Sequence, residues 1–95
     1  MFFAYVIKSE VADFYYKGHC SDLDRRLAQH NAGNTVSIRR HIPFKLIYAE
    51  PFETRQEAIA RDRYFKSAAG RRFLKTVLDR STDTSDKATD ITEVL

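Results

Sequence analysis

The stretch that decides the fold is Tyr15–Asn31, YYKGHCSDLDRRLAQHN. Its first six residues are mostly aromatic or small and predict a β-strand. Its second half places Leu23 and Leu27 four residues apart, which predicts a helix with one apolar face. Ser21 stands where a helix N-cap is expected. The stretch therefore predicts a strand that passes almost directly into an amphipathic helix.

The residues before this stretch predict a second strand and a hairpin. Phe2–Ile7, FFAYVI, is a continuous apolar and aromatic run, which is typical of a strand buried on both faces. Few residues separate it from Phe14 and Tyr15, so the two strands are expected to pair as a hairpin.

The residues after it predict one strand and two helices. Residues 34–44 read as a loop, and residues 45–50, KLIYAE, read as a third strand that Pro51 closes. Thr54 and Glu57 have the spacing of a capping box, which predicts a helix over about 55–66. Apolar residues recur at helical spacing after Gly70 and predict a third helix; they are Phe73, Leu74, Val77 and Leu78. The order β-β-α-β-α-α predicts an α+β fold in which helices flank a small three-stranded antiparallel sheet.

Length and composition limit the class of protein. The chain has 95 residues and a mass of 11.1 kDa, with 43% hydrophobic residues, which is enough for one modest core. It has no apolar run of membrane-spanning length and no leader pattern. Its single cysteine, Cys20, cannot form an internal disulfide, so we expect a soluble, cytoplasmic protein that does not enter a membrane.

The charge is unevenly distributed along the chain. Residues 1–80 carry 15 basic and 9 acidic groups, whereas residues 81–95 carry one lysine against four acids. We therefore expect a basic folded domain over 1–80 and an acidic, flexible tail over 81–95. A basic domain favours a polyanionic partner such as a nucleic acid.

Two sets of residues suggest a site. Arg26 and His30 are four apart on the first predicted helix, which suits a phosphate-binding pair, although an ordinary solvated helix face is the alternative. Asp62 shares an apolar helix face with Ala58 and Phe65, where a carboxylate needs a cation or a metal. The alternative is a half-exposed Asp62 paired at the surface with a neighbouring arginine, either Arg61 or Arg63. No Cys or His spacing predicts a structural zinc site.

Taken in order, these segments resemble the GIY-YIG nuclease superfamily, and in particular a small stand-alone branch related to the N-terminal nuclease domain of the UvrC repair protein. Phe3–Tyr5, FAY, stands in place of GIY, and Tyr16–Gly18, YKG, in place of YIG. SDLDRRLAQHN matches the helix of the family that carries an arginine and a histidine. FKLIYAEPFETRQEAIARDRYFKS matches the strand and helix that follow. The resemblance covers about residues 2–75.

The resemblance implies an endonuclease that cuts phosphodiester bonds with one divalent metal ion, Mg²⁺ or Mn²⁺. Tyr16 would be the general base that takes a proton from the attacking water. Tyr5 would line the same cleft and help to place the water or the base. Arg26 would hold the scissile phosphate and offset its developing charge.

The resemblance assigns three further positions. His30 would orient the phosphate or share proton transfer, and His19 would be a weaker electrostatic helper. Asp62 stands where the family usually has the glutamate that holds the metal. It is one methylene shorter, so the metal would have to lie nearer to the helix.

The leading hypothesis is therefore a metal-dependent endonuclease that acts on DNA, with RNA left open, in DNA repair or processing. The alternative is a catalytically weak nucleic-acid-binding module with the same fold. Either function would use exposed cations as phosphate contacts; the candidates are Lys17, Arg39, Arg40, Arg71 and Arg72. A domain of this size would need a targeting protein, or a distinctive substrate structure, to select its sites.

Overall fold

The computed structural model of the protein describes residues 1–81. Its elements are β1 (Phe2–Ser9), β2 (Tyr15–Cys20), α1 (Leu23–Asn31), a 3₁₀ helix (Val36–His41), β3 (Phe44–Phe52), α2 (Arg55–Lys66) and α3 (Ala68–Ser81). The strands form one antiparallel sheet in the order β2-β1-β3. The predicted fold class is thus confirmed. None of the helices in this part of the chain has the length and apolarity to cross a membrane.

The central strand β1 divides the core into two halves. Ala4 and Val6 face α2 and α3, where they join Phe65 and Leu74 in one apolar cluster. The alternate residues face the other way, toward α1 and the 3₁₀ helix, and form a second cluster that comprises Tyr5, Ile7, Ile38 and Phe44. The prediction that the opening strand is buried on both faces is confirmed, because residues 4–7 are all at most 2% exposed.

Three local predictions are wrong: an N-cap, a strand end and part of a loop. The N-cap of α1 is Asp22 and not Ser21, since its carboxylate accepts a hydrogen bond of 3.1 Å from the backbone N–H of Arg25. Pro51 lies inside β3, which is an edge strand and tolerates a residue without an N–H donor. Part of the predicted loop over 34–44 is the 3₁₀ helix, which buries Ile38.

The predicted third helix begins before Gly70, at Ala68. A Cβ atom at Gly70 would lie 1.7 Å from the carbonyl oxygen of Tyr64, so only glycine allows the start of α3 to cross the end of α2 so closely. The predicted acidic tail lies outside the described residues from 82 onward.

Candidate active site

The edge strand β2 separates the predicted site residues onto two faces of the sheet. Tyr16, Gly18 and Cys20 face α1, while Lys17 and His19 face α2. This alternation follows from the two-residue period of a strand. The phenols and Arg26 consequently lie on the α1 face, whereas Asp62 lies on the α2 face.

On the α1 face, a buried histidine is held on both sides. The Tyr5 hydroxyl lies 2.8 Å from Nε2 of His30, and the Thr35 hydroxyl lies 2.8 Å from Nδ1. His30 is fully buried, and burial, together with the charge of Arg26, lowers its pKa to about 4. Burial raises the pKa of Tyr5 to about 12, although Arg26 offsets part of that rise. Both groups are therefore neutral near pH 7.

The position of Tyr5 depends on the absence of a side chain on β2. A Cβ atom at Gly18 would lie 2.6 Å from the Tyr5 hydroxyl oxygen. The Tyr5 phenol is buried and bonded to His30, so it cannot move aside without loss of that bond. Gly18 thus makes room for the Tyr5–His30 pair.

Tyr16 lies beside this pair. The edge of its ring faces His30, with 5.2 Å between the ring centroids, and the side chain is half-buried. Within residues 1–81 its hydroxyl has no hydrogen-bond partner. This phenol, unlike that of Tyr5, remains available to a water molecule or a ligand.

A polar cavity of about 500 Å³ opens where β2 runs into α1. We call it the arginine cavity; it is lined by His19, Cys20, Ser21, Asp22, Arg25, Arg26, Gln29 and Arg55. The Arg26 guanidinium donates to the amide oxygen of Gln29, at 3.1 Å, and it also lies close enough to the Tyr5 hydroxyl to lower the pKa of that group. Arg55 is placed against the Phe2 ring, 5.1 Å from its centroid. Three guanidinium groups therefore face one cavity that contains a single carboxylate.

The placement of these arginines is unfavourable for the helices that carry them. Arg25 and Arg26 lie near the start of α1, and Arg55 is the first residue of α2. Cations near a helix N-terminus typically cost about 0.3–1 kcal/mol each, because that end carries partial positive charge. An anion in the cavity would be attracted by the guanidinium groups and by both helix ends.

On the α2 face, Asp62 is held by an imidazole and an ammonium group. Its Oδ2 lies 2.9 Å from Nδ1 of His19, and its Oδ1 lies 3.2 Å from Nζ of Lys66, one helical turn along. Asp62 is only 6% exposed. His19 is the connection between the two faces, since it binds Asp62 and also lines the arginine cavity.

The site consists of a tyrosine, an arginine and a glycine around one edge strand, with a carboxylate on the other face of the sheet. This arrangement agrees with the match of the chain to a protein family. The family model described as the GIY-YIG catalytic domain matches residues 1–75. The chain belongs to the GIY-YIG family. Membership implies a nuclease-type activity, a nucleic-acid substrate and the use of a divalent metal ion.

Relatives of this GIY-YIG chain are small proteins. It is 37% identical over 84 residues to a UPF0213 protein of Listeria welshimeri, an alignment that covers 85% of the chain and 90% of that protein. It is 42% identical over 65 residues to a UPF0213 protein of Streptococcus pneumoniae, which covers 66% of each. These names state no activity. No solved structure matches the chain.

The carboxylate of this GIY-YIG domain fits a divalent ion. Asp62 Oδ1 is buried and has no hydrogen bond in the described part of the chain; its contact is the Lys66 ammonium. Residues 1–81 contain no group of three or more His, Cys, Asp or Glu side chains that could hold a metal. An ion on Asp62 would take its other ligands from water and substrate oxygens, as Mg²⁺ commonly does.

The two alternatives that gave these residues no role in a site, a solvated helix face and a surface-paired Asp62, are both wrong. His30 does not belong to a solvated helix face, because it is fully buried. Asp62 is not paired with Arg61, whose partner is Glu50, or with Arg63; its partners are His19 and Lys66.

The cations predicted to bind nucleic acid do not line the arginine cavity. Arg39 and Arg40 are exposed on the 3₁₀ helix, and Arg71 and Arg72 are exposed on α3. Lys17 is half-buried on the α2 face of β2. Sequence reasoning missed Arg25, Arg55 and Lys66, although arginines in the first turn of a helix were an available signal.

Proposed function

We propose that this protein is a metal-dependent endonuclease that hydrolyses phosphodiester bonds of DNA, in DNA repair or processing. The observation that carries the proposal is the arginine cavity, which is lined by Arg26, on the same sheet face as Tyr16, and by His19, whose imidazole is bonded to the buried carboxylate of Asp62. An anion in the cavity would have a base candidate on one side of β2 and a metal ligand on the other.

The scissile phosphate would lie in the arginine cavity. Arg26 is the chief contact in this scheme, because its guanidinium has no ion-pair partner among the described residues and can turn to a phosphate oxygen. Arg25 and Arg55 would add charge at the rim. Stabilising charge that develops on the phosphate is commonly the largest single contribution to such a reaction.

Tyr16 would accept the proton of the attacking water. A phenol acts as a base when nearby cations stabilise its phenolate form, and Arg26 lies on the same face of the sheet as Tyr16. Tyr5 keeps its own proton, because its pKa is about 12. Tyr5 and His30 are buried, so we assign them a positioning role behind Tyr16 and Arg26 and no direct contact with phosphate.

Asp62 would hold one Mg²⁺ or Mn²⁺ ion through Oδ1. When bound, such an ion polarises the phosphate and offsets charge on the leaving oxygen. His19 fixes Asp62 through Oδ2, and its Nε2 has no partner among residues 1–81; in the imidazolium form, this nitrogen would donate to the phosphate from the cavity side. Lys66 neutralises Asp62 while no metal is bound.

The experiment is a plasmid-nicking assay with Mg²⁺ or Mn²⁺ on supercoiled DNA. Tyr16→Phe is expected to slow nicking by at least about 100-fold, because it removes the proton acceptor. Asp62→Asn is expected to abolish nicking, and a higher concentration of metal should not restore it. Tyr64→Phe is the matched control, since it removes a phenol hydroxyl from a residue that does not line the arginine cavity, and it should nick at the wild-type rate.

Two outcomes would contradict the proposal. Nicking that survives both Tyr16→Phe and Asp62→Asn would place the chemistry elsewhere or in a contaminant. Salt-sensitive DNA binding without nicking by the wild-type protein would favour the binding-module alternative. Asp62→Glu sharpens the second case, because faster cleavage by this variant would show that the short carboxylate limits the reaction.

A further inference from the structure

A second group of cations lies on the α2 face, across β2 from the arginine cavity. We call Lys17, Lys66 and Arg71 the lysine cluster. Lys17 comes from β2, two residues before His19 on the same face. Lys66 comes from the end of α2, where it contacts Asp62. Arg71 comes from α3, and its Nη1 donates a hydrogen bond of 3.1 Å to the backbone carbonyl of Lys66.

The positive charge of the lysine cluster is poorly compensated. Within residues 1–81, neither Lys17 nor Arg71 has an ion-pair partner, and Lys66 shares Asp62 with His19. Burial lowers the pKa of Lys17, and the nearby charges of Arg71 and Lys66 lower it further. Like charges brought together from three elements repel one another, and an anion placed among them would relieve that repulsion.

The lysine cluster is close to the arginine cavity along β2. His19, which lines the cavity, and Lys17 are two residues apart along one face of β2, or roughly 7 Å at the rise of an extended strand. That spacing is comparable with the distance between neighbouring phosphates of one nucleic-acid strand. β2 is an edge strand of the sheet, so no further strand of the described chain lies beside it.

We propose that Lys17, Lys66 and Arg71 form a second phosphate-binding site, for the phosphate next to the one bound in the arginine cavity. The inference rests on the proposed function and deepens it. The nucleic-acid strand would cross the edge of the sheet at β2 and contact cations on both faces. The ligand is thus a polynucleotide backbone with consecutive phosphodiesters and not an isolated nucleotide.

The test measures binding of a fluorescein-labelled 20-nucleotide strand by anisotropy, without metal, over a range of salt concentrations. Lys17→Gln and Arg71→Gln are each expected to weaken binding by roughly 3- to 10-fold and to reduce the salt dependence by about one phosphate contact. Lys45→Gln is the matched control, because it removes one exposed charge on β3, the opposite edge of the sheet. It should leave both quantities close to wild type.

A charge-preserving variant separates binding from folding. Lys17→Arg keeps the cation and should retain the wild-type salt dependence, whereas a damaged fold would lose it in both Lys17 variants. Equal effects of Lys17→Gln, Arg71→Gln and Lys45→Gln would overturn the second site. The assay contains no metal and measures no cleavage, so this result is independent of a failure of the nicking assay, which bears on the proposed function.

Discussion

Two arginines of this protein stand in opposite situations: Arg61 lies in the middle of α2, packed against β3, and Arg26 lies in the first turn of α1, close to the end of β2. The Nε of Arg61 donates to Glu50 at 2.7 Å, and its guanidinium packs against three aromatic rings; they are Tyr64, Phe65 and Phe73, at 4.7, 5.4 and 4.6 Å from their centroids. Arg26 contacts only neutral groups among the described residues, the Gln29 amide and the Tyr5 hydroxyl, and faces a cavity. The first guanidinium is used to hold elements together, and the second is left for a ligand.

The effect of each arginine on its neighbours confirms this contrast. Burial would raise the pKa of Glu50, but hydrogen bonds from Arg61 and Tyr48 and the charge of Arg61 bring it below its usual value. Burial lowers the pKa of His30, and the charge of Arg26 lowers it further. The charge of Arg61 is compensated inside the protein, whereas the charge of Arg26 is not. A cation without internal compensation marks the place where the fold can accept a phosphate.

The largest expected effect is the loss of cleavage in Arg26→Gln. Removal of one preorganised charge from a phosphate site should slow plasmid nicking by about 100- to 1,000-fold. The free energy of unfolding should change by less than about 0.5 kcal/mol, because Arg26 has no ion-pair partner and the buried Tyr5 hydroxyl keeps its bond to His30. Nicking rates and urea denaturation on the same preparation check both statements. A large loss of stability in Arg26→Gln would remove the contrast with Arg61.

Arg61→Gln should show the opposite behaviour. It leaves the partly buried Glu50 carboxylate without its cation and removes the contacts with three rings, so we expect a loss of about 2 kcal/mol in the free energy of unfolding. Nicking per folded molecule should remain within about twofold of wild type.

Double substitution shows whether the Glu50–Arg61 ion pair causes the loss of stability in Arg61→Gln. Glu50→Gln combined with Arg61→Gln should cost less than the two single effects added together, because neither partner is then left unpaired. Additive effects in urea denaturation would attribute the stabilisation to the aromatic contacts of Arg61 and not to the ion pair.

The sequence predicts the fold more fully than the site. Strands and helices follow from local periodicity, and Thr54 with Glu57 forms the predicted capping box. Arg26 can be selected with His30 by their spacing of four residues, and Asp62 because it stands on an apolar helix face. The pairing of Asp62 with His19 cannot be predicted in this way, since His19 is 43 positions distant and the pairing depends on which face of β2 meets α2. Arg55 joins the arginine cavity only through the packing of α2 against the sheet.

The last expected effect, of about the same size as that of Arg61→Gln, concerns His30, the neighbour of Arg26. Its pKa is about 4 in the folded protein, against an ordinary value of 6.5. Between these values the unfolded chain binds a proton that the folded protein does not, so acidification favours unfolding. We expect His30 to contribute a loss of about 2 kcal/mol in the free energy of unfolding between pH 7 and pH 5. Urea denaturation at the two pH values measures the total loss.

His30→Gln isolates this contribution, because glutamine does not titrate. The variant should be less stable at pH 7, where it cannot reproduce both hydrogen bonds of the imidazole, and should lose less stability on acidification than wild type. In Arg26→Gln, the pKa of His30, followed by NMR, should move toward its ordinary value, because one of the two causes of the shift is removed. An unchanged pKa of His30 in this variant would show that burial alone keeps His30 neutral. It would also show that the charge of Arg26 is screened from the interior of the protein and acts on the cavity alone.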